Sequence, residues 1–411
     1  MAMTDCRYFN GYKPCGKSNH CDPRCPQLNV PTSRVLVIHL GALGAVLRST
    51  ALLAAIHRKF PGCHLTWLTS RPADQLLQFN PLIDRILTSS GDDLLQLEAL
   101  EFDIAIVIDK SLTAAGLLKR TRADFVYGFQ ANLRTGAILP ATEAASELWE
   151  IGLSDHKKFN LNQKPETQLI HEACELGPWR RDEYLLNLTD REQLEVSTRR
   201  KDWSRPGQLV IGINTGCSGV IPYKKLSINK HRELIAKLDE AFDCRVVLLG
   251  GKEDEVRNQR IAHGMKCVQS STGAGLRDGI LSVAACDVVI SGDSLGMHMA
   301  IALKKWTVAW FGPTVASEID LYGRGEAVLS DAACGPCWKR SCQKNVMCYD
   351  LVAVDKLVGG VRRFLQAADL NIRAGDDSWK QTKQQTKQQT EQQTKSQLED
   401  QLNSKPDPKT L

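Results

Sequence analysis

The chain has 411 residues, 43% of them hydrophobic, which is enough for sizeable cores and for two domains of ordinary size with appendages. Its formal charge of +5 is small for that length and does not call for nucleic acid, although Lys and Arg suit an anionic substrate or an anionic membrane face. No apolar run approaches the roughly 20 residues that span a bilayer, and the first thirty residues are polar and Cys-rich rather than a signal peptide, so the cytoplasm is the expected compartment.

Residues 1–30 read as a loop-rich module with no periodicity. Cys6, Cys15, Cys21 and Cys25, with His20 adjacent, offer four ligands in a segment too small to fold on its own core, which predicts metal. Fourteen cysteines would suggest disulfides in a small secreted domain, but in a large α/β chain clustered thiols point to metal instead. Cys63, Cys174, Cys217, Cys244, Cys267 and Cys286 are scattered and read as ordinary thiols.

From residue 34 to about 185, short apolar strands are predicted at Val35–Leu40, His64–Thr69, Arg85–Leu87, Ile104–Ile108 and Phe125–Gly128. They alternate with helical stretches such as Leu47–Lys59 and Leu94–Leu100. This alternation yields a parallel sheet covered on both faces. The first strand breaks on Gly41 and Gly44 and feeds a helix beginning near Ala45, the place where a doubly wound sheet holds ligands. A polar, charged connection is expected over Asp190–Gly207.

The alternation then resumes with strands at Leu209–Asn214, Arg245–Leu249, Val288–Ser291 and Thr307–Phe311. The expected architecture is α/β: two Rossmann-like domains, 34–185 and 205–330, facing a central cleft. Cys334, Cys337, Cys342 and Cys348 follow within fifteen residues, close enough for one tetrahedral site that would suit structural zinc, a single iron or an iron–sulfur cluster. They define a four-cysteine finger at 331–350. A C-terminal helix is expected within 351–370, at Val361–Ala368, and then a low-complexity tail, 371–411, whose KQQT-type repeats have almost nothing to bury and predict disorder.

The ordered set HLGALGAVLRSTALL, INTGCSG, LLGGKED, SGDSLGMHMAIAL and VAWFGPT resembles glycosyltransferase family 9, the ADP-heptose heptosyltransferases, over roughly residues 34–365. The resemblance implies a GT-B fold, with acceptor bound mainly by the N-terminal half and nucleotide sugar by the C-terminal half. It also implies inverting transfer of heptose from a nucleotide-diphosphate sugar, ADP-heptose, with no metal at the reacting centre. The acceptor hydroxyl would belong to lipopolysaccharide core, another glycan or a protein, and the place of work would be the cytoplasm or the inner face of the inner membrane. The four-cysteine segment resembles a structural finger found after the FGPT turn in part of the family. The N-terminal CRYFNGYKPC stretch resembles a Cys-rich leader in some members.

The residues themselves fit that implication. Gly212, Thr215 and Gly216 end a strand at a turn whose N–H groups and hydroxyl can grip a diphosphate. Lys224 stands where the family's phosphate lysine stands and would neutralise charge on departing ADP. Gly250, Gly251 and Glu253 follow another strand, so that backbone can approach an adenosine while the carboxylate reaches ribose hydroxyls. Asp293, Ser294, Leu295, Gly296 and His298 put a carboxylate at a strand end and a helix N-terminus behind it, suited to sugar hydroxyls and phosphates. His298 can equally be a core histidine.

Ala45 is the departure. The family pattern G-x-L-G-D places an aspartate there as general base, and a methyl group accepts no proton. Three accounts are open: an engineered inactivating substitution, a pseudoenzyme that still binds nucleotide sugar, or a base supplied elsewhere by His39, Asp109, Glu318 or Asp320. Arg48, one turn on, suits an acceptor phosphate or a structural ion pair. A non-catalytic binding or assembly protein is the rival reading, and a metal-dependent redox protein a distant third.

Overall fold

The computed structural model describes residues 4–368, so the predicted tail 371–411 lies outside the described residues. The chain divides into two units, Met1–Val358 and Gly359–Leu411; both sheets belong to the first. The segment expected as the helix Val361–Ala368 is helical.

The first sheet contains β1 (Arg34–Ile38), β2 (His64–Thr69), β3 (Arg85–Thr88), β4 (Glu101–Val107), β5 (Arg122–Ala131) and β6 (Ile138–Pro140), in the order β3-β2-β1-β4-β5-β6. Only the β5–β6 pair is antiparallel. The second sheet contains β7 (Leu209–Asn214), β8 (Cys244–Leu249), β9 (Cys267–Gln269), β10 (Val288–Gly292), β11 (Trp306–Phe311) and β12 (Gly325–Leu329). It is wholly parallel, in the order β12-β11-β10-β7-β8-β9. Each sheet therefore reverses its strand order once, between β1 and β4 and between β7 and β10. Ligand crevices of open α/β sheets form outside the strand ends at such reversals.

The central strands form because their side chains are apolar on both faces. Val35, Leu36, Val37 and Ile38 are all fully buried, with Val35 in register with Leu65 on one side and Ile104 on the other. Burial of each such side chain contributes about 1.5–3 kcal/mol, enough to outweigh weak local propensity.

Several sequence expectations need correction. The polar connection is in fact a fourteen-residue helix, Asp190–Trp203, opened by a capping box in which Thr189 and Glu192 satisfy each other's backbone N–H groups. It lacks an apolar stripe and is held instead by ion pairs: Arg277 with Glu192 at 2.6 Å, Arg199 with Asp278 at 2.7 Å and Arg200 with Asp287 at 2.9 Å. The stretch Leu47–Lys59 is two helices, Leu43–Ser49 and Leu53–Lys59, joined by a 3₁₀ turn at Thr50–Leu52. The Thr50 hydroxyl donates to the Leu47 carbonyl and accepts from the Leu185 N–H at 2.8 Å, which ties this junction to a segment distant in sequence. The strands β6, β9 and β12 were not anticipated; all three are short sheet edges, where one-sided burial leaves no continuous apolar run.

Candidate functional site

A cavity of 790 Å³ opens at the β7/β10 reversal. Its second-sheet wall is built by three strand ends. After β7 the chain turns through Gly216, Cys217 and Ser218; after β8 it turns through Gly250, Gly251 and Glu253; after β10 come Asp293, Ser294, Leu295 and Gly296, the last two opening the helix Leu295–Ala302. Asn214 ties the first and third turns together, its amide donating to the Gly216 carbonyl and the Ser294 hydroxyl, each at 2.9 Å.

Lys224 reaches the site from a 3₁₀ turn, Pro222–Lys224, that crosses the end of β10. A Cβ at Gly292 would stand 2.0 Å from the Lys224 carbonyl oxygen, so only glycine lets the turn lie there. The Lys224 ammonium then sits 3.5 Å from the Asp293 carboxylate. Burial alone would raise the Asp293 carboxyl, but the Lys224 ammonium, helped by Arg48, outweighs it and holds it below its ordinary value, so it is an anionic acceptor for hydroxyl groups. His298 Nε2 lies 3.9 Å from the same carboxylate. Burial, reinforced by Arg48, pushes His298 down to about 3, so the imidazole is neutral; its ring stacks on Tyr184 at 6.0 Å and its Nδ1 has no hydrogen-bond partner.

The opposite wall comes from the first sheet. Leu43, Gly44, Ala45 and Arg48 of the helix Leu43–Ser49, together with Glu166, line the same cavity. The two walls meet through helix contact: the apolar cluster that holds Leu47 and Ala51 also holds Met297 and Ala300. A Cβ at Gly44 would fall 2.4 Å from the His298 ring. Arg48 is ion-paired with Glu166. Burial favours a neutral Glu166, yet Arg48, Lys110 and Lys158 hold its carboxyl down to about 2. Lys110 is itself lowered by burial.

Thus Ala45, Gly216, Lys224, Gly250, Gly251, Glu253, Asp293, Ser294, Leu295, Gly296 and His298 line one cavity. Thr215 does not line the cavity. It is fully buried, and its hydroxyl is committed to Asn258 at 2.5 Å and to the Leu249 carbonyl. Gly212 is likewise inside the sheet, with Leu249 and Cys286 packed where a Cβ would project.

The four residues considered as substitutes for the missing aspartate part company. His39 is buried, hydrogen-bonded to Ser49 at 2.8 Å and pushed down to about 4 by burial. Asp109 accepts from the Leu40 N–H at 3.0 Å, fixing the end of β1. Asp320 is gripped by Arg181 at 2.6 and 2.7 Å. Glu318 alone of the four lines the cavity. Glu166, Lys158 and Trp338 were not singled out from sequence. Lys158 Nζ lies 3.8 Å from the Trp338 ring centre and 3.6 Å from Glu318, and nothing in the spacing around any of the three marks it.

None of the eight cysteines expected to bind metal lines this cavity. Cys334, Cys337, Cys342 and Cys348 line one cavity of 510 Å³ beside Tyr223, whose hydroxyl accepts from the Cys342 N–H at 3.0 Å. Burial and the three other thiols push Cys348 up to about 11. Yet among the described residues no group of three or more His, Cys, Asp or Glu converges as metal donors must, either in this set or in Cys6, Cys15, Cys21 and Cys25. What the C-terminal segment does supply is Trp338, which reaches the main cavity.

Residues 95–347 match the family model for glycosyltransferase family 9 (heptosyltransferase). The chain belongs to glycosyltransferase family 9. A family 9 relative, lipooligosaccharide heptosyltransferase 2 of Campylobacter jejuni, is 24% identical over 173 residues, 40% of this chain and 54% of that protein. The match thus spans about half the length of the curated relatives found first. The crystal structure of a family 9 glycosyl transferase from Veillonella parvula superposes with a TM-score of 0.66 at 16% identity, covering 83% of this chain and 99% of that one. The ADP-heptose lps heptosyltransferase II of E. coli gives 0.59 at 17% identity, over 82% and 99% of the two chains. At these identities the structures establish a shared family 9 fold of two Rossmann-like sheets. Among the described residues no helix is long and apolar enough to cross a membrane.

Proposed function

We propose that this chain transfers heptose from ADP-heptose to a hydroxyl acceptor, with inversion, and that lipopolysaccharide core is the acceptor class. The observation that carries the reading is the Lys224–Asp293 pair, 3.5 Å apart at the β7/β10 reversal, inside a cavity closed on its other side by the helix Leu43–Ser49. A diphosphate laid across the strand ends meets the Lys224 ammonium and the free N–H groups of Leu295 and Gly296. Asp293 accepts from sugar hydroxyls, and Glu253 lies along the β8 turn, where a ribose would lie. As the anomeric bond to the diphosphate breaks, negative charge grows on the leaving oxygen, and Lys224 stabilises it in a site shielded from water. The acceptor enters from the wall carrying Ala45 and Arg48, on the face opposite the leaving group, which is the geometry of inversion. The family description and the heptosyltransferase relatives support this reading.

Isothermal calorimetry with ADP-heptose tests the donor site. Lys224→Ala and Asp293→Ala should each weaken binding at least tenfold, and unchanged affinity in both would remove the donor assignment.

Ala45 favours a second reading, a non-catalytic nucleotide-sugar binder. It is distinguished by donor affinity without turnover. A structural zinc or iron at Cys334, Cys337, Cys342 and Cys348 rests on sequence spacing alone, takes no part in the chemistry, and is open to elemental analysis of the purified chain. Work in the cytoplasm or at the inner membrane face is likewise a proposal from the acceptor class.

A further inference from the structure

We propose that Glu318 is the general base of this chain, doing from the second sheet's side of the cavity what an aspartate at position 45 would do from the first. The proposal rests on the transferase reading above and deepens it.

Glu318 closes a 3₁₀ turn, Ala316–Glu318, just after β11. It is 8% exposed and lines the cavity together with Ala45, Arg48, Glu166, Lys224 and Asp293. Five carboxyl side chains line the cavity; Glu253 and Asp254 belong to the turn after β8, and their surroundings separate the other three. Asp293 is engaged by Lys224 on the donor side. Glu166 is ion-paired with Arg48 and held down to about 2, too weakly basic to take a hydroxyl proton efficiently. Glu318 has only the looser contact with Lys158, at 3.6 Å, and that lysine is shared with the Trp338 ring.

The charges facing Glu318 are Arg48 on the helix Leu43–Ser49, Lys110 after β4, Lys158, Glu166, and Asp293 after β10. Burial and the nearby Glu166 push Glu318 up to about 7, against the pull of Lys158 and Arg48. A base that loses its own proton near neutrality is well matched to accept one from a hydroxyl at working pH.

The step balances without any further reactant. The acceptor oxygen forms its bond to the anomeric carbon as its proton passes to the Glu318 carboxylate. The anomeric carbon–oxygen bond to the diphosphate breaks, and ADP leaves with the electron pair against Lys224. The protonated Glu318 returns its proton to solvent after product release.

The test compares the full chain with Glu318→Gln, Ala45→Asp and the double variant. Transfer from ADP-heptose to a heptose-deficient core saccharide is followed as ADP release from pH 5 to 9, with donor affinity measured by calorimetry. Glu318→Gln should lower kcat by about 10²–10⁴-fold. Its donor affinity should stay within twofold of the parent, and the rise of rate with pH through about 7 should disappear. Adding Ala45→Asp to Glu318→Gln should restore rate, with the acidic limb moved to lower pH. A Glu318→Gln variant that keeps both the rate and the limb overturns the proposal. So does one that loses donor binding, since Glu318 would then hold substrate rather than a proton. If neither the parent nor Ala45→Asp transfers while ADP-heptose is bound, the transferase reading fails, and the base assignment falls with it.

Discussion

Arg48 and Ala45 stand one helical turn apart on one face of the same short helix, and the pair explains why the acceptor wall tolerates a methyl group where a carboxylate is expected. The guanidinium is already satisfied by Glu166, so losing an aspartate from position 45 leaves no cation stranded there. Breaking that pair has the opposite effect. Arg48→Met would strip the partly buried Glu166 of its nearest counter-charge, leaving only Lys110 and Lys158, and should cost about 1–3 kcal/mol, read as a lower thermal midpoint. The pH sign follows from the carboxyl. Glu166 is depressed in the folded chain to about 2, so its stabilisation is complete above the ordinary carboxylate range and is lost as pH falls toward 2. In Arg48→Met that acid loss should shrink or reverse. A parent and variant with parallel midpoint-against-pH curves would contradict this account. At this scale the cavity positions of Asp293 and Lys224 were legible, Asp293 from its place at a strand end and Lys224 from the family resemblance. Glu166 and Trp338 were not, because a Pro-Glu helix start and a tryptophan between cysteines carry no local sign of facing a cavity built by other strand ends.

Between elements, the contact that matters is the crossing of the helix Leu43–Ser49 over the helix Leu295–Ala302. It depends on Gly44, since a methyl there would meet the His298 ring at 2.4 Å. His298 in turn stacks on Tyr184 and lies beside Asp293, so its ring has little freedom to move. Gly44→Ala should therefore cost about 1–3 kcal/mol and shift the imidazole against the donor carboxylate. Thermal melts and donor calorimetry on one sample check both; an unchanged midpoint would mean that the two helices can slide apart freely. The parallel strands at the centre of each sheet were readable as continuous apolar runs. The helix Asp190–Trp203 was read as a connection because it is polar all round, although Thr189 and Glu192 carried a capping-box signal that a search for apolar periodicity passes over.

For the whole molecule, two sheets of the same 3-2-1-4-5-6 order place their strand-end turns on a shared cavity, and the sequence motifs map onto those turns in chain order. That much followed from alternating apolar runs and glycine-marked strand ends. What did not follow was which carboxylate takes over at the acceptor wall. Sequence offers four candidates, and only burial and charge in three dimensions separate Glu318 from His39, Asp109 and Asp320. The cysteine sets show the reverse limit: spacing suggests two metal centres, yet among the described residues no group of three or more donors is placed to hold an ion.

Mass and anomeric analysis of a heptose-deficient core saccharide incubated with this chain and ADP-heptose reads transfer itself. One heptose, of inverted anomeric configuration, should be added in step with ADP release. A chain that binds ADP-heptose but leaves the saccharide unmodified, with or without Ala45→Asp, would contradict it.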